Sequence, residues 1–146
     1  VEASGERWNR SELLGMRART ALALNDLELA ERLIDLSFAA MRDDDVTALS
    51  EANCHLGLIR AAQARYDEAE VALRRSLEAV SHTEYNVNKI ESSLVLAAFL
   101  AEQGRVDEAA QLVDHSDHWL QQRQWHRWDL EITRIRSLLA ATRRET

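Results

Sequence analysis

Apolar and small side chains recur along this chain at the three- and four-residue spacing that returns to one face of an α-helix. Between 112 and 120, Leu112, Val113, Ser116 and Leu120 share one face and point to a core. The same spacing carries Ala30, Ile34 and Ser37, and then Ala69, Leu73 and Ser76. Read along the whole chain, the pattern predicts helices over 7–24, 27–41, 46–63, 67–80, 86–103, 107–121 and 126–142. Between them, "RDDD" (42–45) and "SHTEYN" (81–86) supply polar links and N-caps. Asp67-Glu68 and Asp107-Glu108 stand where a first helical turn favours negative charge.

The helices also repeat. Segments 21–41, 60–80 and 100–120 align without gaps, at offsets of 39 and 40 residues. Each has a small residue (Ala30, Ala69, Ala109), then a branched one (Ile34, Leu73, Val113), then a serine (Ser37, Ser76, Ser116). Each is preceded by a turn position, Asn25, Ala64 or Gly104; Asn and Gly tolerate the left-handed backbone that ends a helix, and Ala64 does so less well. Upstream lie the small residues Ala18, Gly57, Ala97 and Ser137, and before them Glu12, Glu51, Glu91 and Glu131. "RW" at 7–8 returns at 127–128. The units are helix pairs at approximately 7–41, 46–80 and 86–121, with a half unit at 126–142. Paired antiparallel helices approach closely only where the crossing side chains are small. Neither helix buries its stripe alone, so successive pairs stack.

The stretch 54–80 resembles a tetratricopeptide repeat through Leu56-Gly57, Tyr66, Ala69, Leu73 and Leu77. The stretch 94–113 is similar through Leu96-Ala97, Gly104 and Ala109. The first unit departs, with Arg17-Ala18 in place of Leu-Gly; the repeats exceed the family's usual length of about 34 residues, and Ser81 stands where a proline is usual. Long repeats of this kind look like the helical arrays of bacterial LuxR-type, maltose-activator-type and antibiotic-regulatory signalling proteins and of some adenylyl cyclases. The resemblance implies an all-α, right-handed α-solenoid. It also implies that first helices line a concave face that binds partners. That face would include Glu12, Gly15, Arg19 and Leu22; Glu51, Cys54, Leu58 and Ala61; Glu91, Leu94, Ala98 and Glu102; and Glu131, Arg134 and Leu138. The Lys and Asn clamp that some members use for C-terminal carboxylates is absent from these positions.

Composition agrees with helices: Ala, Leu, Glu and Arg dominate and there is no proline. Net charge is −7, against nonspecific nucleic-acid binding and against anionic membranes. One cysteine, Cys54, permits no intrachain disulfide. No apolar run approaches the roughly 20 residues that span a bilayer. The start, "VEASGERWNR", shows no leader and reads as part of a larger, cytoplasmic protein.

Candidate chemistry is sparse. Cys54 would need a base to act as a nucleophile, and His55 beside it points elsewhere on a helix. No Ser-His-Asp order, phosphate loop or paired-cysteine motif occurs, so neither an enzyme nor a cofactor is expected. In "DHSDHWLQQRQWHRW" (114–128), Asp114, His115 and His118 have helical ligand spacing, but the repeat register turns both histidines outward. Trp119, Trp125 and Trp128 read as packing, the last two opening the seventh helix. Asp117 stands where sister repeats have Phe38 and Leu77, so it is paired with an arginine such as Arg134 or exposed. The four glutamates would favour a basic partner, unless each pairs locally, as Glu131 could with Arg134. The expected function is a noncatalytic protein-interaction or sensor module, its partner a peptide, a protein or another domain of the parent chain. An effector-sensing domain is the alternative. The terminal helix is expected to leave Ile132, Ile135, Leu138 and Leu139 unstacked, free to form a homodimer.

Overall fold

The computed structural model describes residues 4–145, with side chains from Arg10 onward; the Arg7-Trp8 copy of the "RW" pair lies outside the described side chains. The described residues form seven α-helices and no strand: α1 (Ser4–Ala23), α2 (Leu27–Ala40), α3 (Val46–Ala62), α4 (Tyr66–Val80), α5 (Asn86–Glu102), α6 (Val106–Gln122) and α7 (Asp129–Glu145). No helix among them is long and apolar enough to cross a membrane. The seventh begins three residues later than the sequence pattern predicts. Trp125 and Trp128 therefore precede it in a turn.

The turns explain the helix ends. Asn25, Ala64 and Gly104 all have positive φ, at 60°, 59° and 78°. In each, the next N–H reaches back five residues: Asp26 to Ala21, Arg65 to Arg60 and Arg105 to Leu100, at 2.8–2.9 Å. This bond satisfies a carbonyl that the helix end leaves open. A fourth turn of the same kind follows α6, with Gln124 at φ 53° and Trp125 N–H bonded to Leu120 O at 3.1 Å. Asp26 and Asp45 then cap α2 and α3, accepting from the N–H groups of Leu29 and Ala48.

The chain divides into two compact units, 1–89 and 90–146. In the first, α1 packs on α2 and α3 on α4 as antiparallel pairs. A reciprocal serine pair closes each at its open end. Ser11 Oγ donates to Ser37 O at 3.0 Å and Ser37 Oγ to Ser11 O at 2.8 Å. Ser50 Oγ donates to Ser76 O at 2.8 Å and Ser76 Oγ to Ser50 O at 2.7 Å. All four serines are buried. The crossings are as tight as the small residues require. A Cβ added to Gly57 would lie 2.5 Å from two side-chain carbons of Leu73 and 3.2 Å from Ala69 O. Ala18, Ala30, Leu33, Ile34, Ala52 and Ile59 form the core of this unit. Arg60 of α3 and Gln63, which caps its end, bind the Glu31 carboxylate of α2, Arg60 at 2.7 Å.

In the second unit, the register puts Ile90 where Ser11 and Ser50 stand. Ser116 keeps its place in α6, fully buried, and its hydroxyl has no hydrogen-bond partner. α7 packs on α6, and Ile132, Ile135 and Leu139 are buried while Leu138 is half-buried. That corrects the expectation of an unstacked apolar face on the terminal helix. The exposed apolar face lies instead on α1, where Leu13 and Met16 are each 58 % exposed. Their register equivalents in α7, Ile132 and Ile135, are inside.

Candidate functional site

The first helices of the pairs, α1, α3, α5 and α7, carry the recurring glutamates. Glu12 is exposed on α1 and Arg19 is exposed two turns further along the same face. Glu51 of α3 is half-buried and accepts a hydrogen bond from Asn88 Nδ2 at 3.2 Å. In the second unit Glu91, Glu102, Glu131 and Arg134 are exposed and Ala98 is half-buried. Among the described residues, Glu12, Glu91 and Glu131 make no hydrogen bond or ion pair. Glu131 in particular does not bind Arg134, so the local pairing available on sequence grounds is not formed.

Not every position on these helices reaches the surface. Cys54 and Leu94 are buried, as is Gly15, which shares their register position. Cys54 is a free thiol. Leu58, Ala61 and Leu22 are half-buried. The exposed portion of the face is therefore its charged edge, with the apolar members serving the core.

Between α1, α2 and α3 lies a cavity of about 50 Å³, bordered by Ser11, Glu12, Gly15, Ser37, Glu51 and His55. A Cβ on Gly15 would meet His55 Cδ2 at 3.3 Å, so the missing side chain makes room for the imidazole. Burial, with the Arg19 charge adding to it, pushes the His55 pKa down to about 4. Its Nδ1 is buried without a partner. Sequence reasoning weighed His55 only as a base for Cys54. The signal that could have found its packing was Gly15, a helix-interior glycine where sister repeats carry a side chain.

No protein-family model, curated protein or solved structure matches the chain. The functional reading therefore stands on these residues alone.

The second unit holds the histidine and tryptophan stretch. His115 and His118 are exposed, and His118 Nε2 lies 3.0 Å from Gln122 Nε2. No group of three or more His, Cys, Asp or Glu gathers as a metal-ligating set among the described residues. Asp117 is paired, but with Arg136 and not Arg134: Arg136 Nη1 donates to it at 2.7 Å, and Nη2 donates to Asp114 at 3.0 Å. Arg136 lies four residues after Ile132 and next to Ile135, on the side of α7 that carries the buried stripe of Ile132, Ile135 and Leu139. Burial alone would raise the Asp117 pKa; hydrogen bonds from Arg136 and Gln121 hold it below the usual carboxylate range. The three indoles form a row, Trp119–Trp125 at 5.8 Å and Trp125–Trp128 at 6.2 Å between centroids. Arg123 lies 3.9 Å over Trp119 and Arg127 lies 5.0 Å over Trp128.

Proposed function

We propose that this chain is a noncatalytic helical-repeat module of tetratricopeptide type, part of a bacterial transcriptional regulator or signalling protein. Its hairpins stack as a right-handed solenoid, and the first-helix face holds a basic peptide or a basic patch of a partner domain. The observation that carries this reading is the set of register-related glutamates, Glu12, Glu91 and Glu131, exposed and with no ionic partner among the described residues. At this repeating position Glu51 binds Asn88, and the three free carboxylates are poised to accept from Lys, Arg or backbone N–H groups of an incoming segment. The effector-sensing alternative has less support: the hollow of about 440 Å³ beside Tyr85 has the volume of a small-molecule site, but its acids are already engaged, Asp44 with Arg42 and Asp45 with Thr47 and the Ala48 N–H.

The test is fluorescence anisotropy with a labelled peptide of alternating Arg and Ala, beside its Glu/Ala counterpart. The basic peptide binds, more weakly as salt rises, and the triple variant Glu12→Gln/Glu91→Gln/Glu131→Gln weakens it at least about tenfold. Equal affinity in the triple variant, or no binding of the basic peptide at low salt, removes the first-helix face as the site.

A further inference from the structure

We infer that the turn joining α6 to α7 is a separate binding surface, built for an extended acidic peptide with proline between its carboxylates. It does not rest on the first-helix face. Trp125 is the middle indole of the row and is 44 % exposed, while Trp128 beside it is buried. Exposed Trp set among Arg is the composition of interface hot spots and not of ordinary surface. The neighbouring rings are tilted 58° and 56° from it, so the row presents notches and not a flat wall. Prolines of an extended polyproline-II segment pack into aromatic notches of this kind.

The guanidinium groups supply the charge. Arg123 stacks on Trp119 and donates to its carbonyl at 3.2 Å; Arg127 stacks on Trp128. Neither has a carboxylate partner among the described residues. Local acids are already engaged: Asp114 and Asp117 hold Arg136, and Asp129 holds His126 at 3.0 Å. Two forked donors thus stay free, held against the indoles at either side of the exposed ring. Much of the entropy of placing them is already lost before a carboxylate arrives. The turn itself is closed by the Trp125–Leu120 bond. A short peptide fits better than a nucleic acid: the two free guanidinium groups match two carboxylates, whereas a polyphosphate needs a continuous basic track, which Asp114, Asp117 and Asp129 interrupt here.

The experiment titrates the protein with a short peptide of alternating Asp and Pro, read by tryptophan emission and by calorimetry. The comparison probes are its Asn/Pro and Asp/Gly versions, a single-stranded oligonucleotide and vesicles of anionic lipid. Expected is saturable binding with a Kd below about 1 mM, a loss of about tenfold or more with either altered peptide, and a similar loss in Arg123→Gln and Arg127→Gln. Trp125→Ala abolishes the response with unchanged circular dichroism. Absence of binding, or equal affinity in all three variants, overturns the inference. So does tighter binding of the oligonucleotide or the vesicles with the same dependence on Arg123, Arg127 and Trp125.

Discussion

Ser116→Ala should stabilise this protein, while the same change at Ser76 should destabilise it. The two residues occupy the same place in successive repeats and are both fully buried. Ser76 Oγ donates to Ser50 O at 2.7 Å, and Ser76 O accepts from Ser50 Oγ at 2.8 Å. Ser116 meets a repeat in which the partner serine has become Ile90, and its hydroxyl is left without a hydrogen bond. Both substitutions exchange Ser for Ala inside a helix, a gain of about 0.5 kcal/mol in propensity. At Ser76 that gain is outweighed by a lost hydrogen bond of about 1 kcal/mol, for a net loss of roughly 0.5 kcal/mol. At Ser116 the same gain adds to relief of an unsatisfied buried hydroxyl, about 1–3 kcal/mol. The two variants should therefore differ by roughly 2 kcal/mol or more, on the order of 1 M in urea midpoint at an unchanged m-value. Urea unfolding followed by far-ultraviolet circular dichroism measures it, with Ser37→Ala as a second paired control. If Ser116→Ala costs as much as Ser76→Ala, the hydroxyl has a partner and the broken pair in the third repeat is wrong.

Further outcomes follow from the crossings, turns and titrating groups. Gly57→Ala drives a methyl into Leu73 and Ala69 O and should destabilise by about 1–3 kcal/mol, read as a lowered Tm. Ala64→Gly relieves a left-handed alanine and should stabilise by about 1 kcal/mol, whereas Gly104→Ala, at φ 78°, should do the reverse; an unchanged midpoint in both removes the strain argument. His55, neutral when folded with a pKa near 4 against 6.5 when free, binds its proton more readily in the unfolded chain. Stability should then fall as pH drops from about 6.5 towards 4, by at most about 3 kcal/mol; the same slope in His55→Asn would contradict it. Asp117, whose pKa is lowered, contributes stability at neutral pH that is lost as acid protonates it. Asp117→Leu should stay neutral or stabilising, since a packed hydrophobe replaces a pair whose Arg136 is 45 % exposed; a loss above about 2 kcal/mol would show that the pair matters more than its exposure implies.

The helices and their turns were legible because each rests on local chemistry. Asn25, Ala64 and Gly104 were singled out from register alone and all adopt positive φ, although alanine gives no residue-level hint of it. Register supplied that hint, since the turn is forced by the helices on either side. Gln124 escaped for the same reason: it ends the second helix of a pair, where the sister repeats use the links 41–45 and 81–85 without a left-handed residue. A local pattern cannot announce a turn that its own repeats do not share. That one unshared turn delays α7 to Asp129 and leaves Trp125 outside any helix.

The serines show the other limit. Their recurrence on the second helices was visible at Ser37, Ser76 and Ser116, yet a recurrent serine on an apolar face has no evident purpose until its partner is placed. Ser11 and Ser50 lie 26 residues earlier, a separation that only an antiparallel pair makes meaningful. Once that distance is fixed by two intact pairs, it identifies Ile90 as the substitution that strands Ser116. It also places Leu130 at the same position of α7, where it is 60 % exposed and its counterparts are all buried. The exposed charges are governed by different rules. Glu12, Glu91 and Glu131 recur although none of them makes a hydrogen bond or ion pair among the described residues. If the proposed first-helix face holds a basic segment, that segment supplies the reason for their recurrence that the core does not.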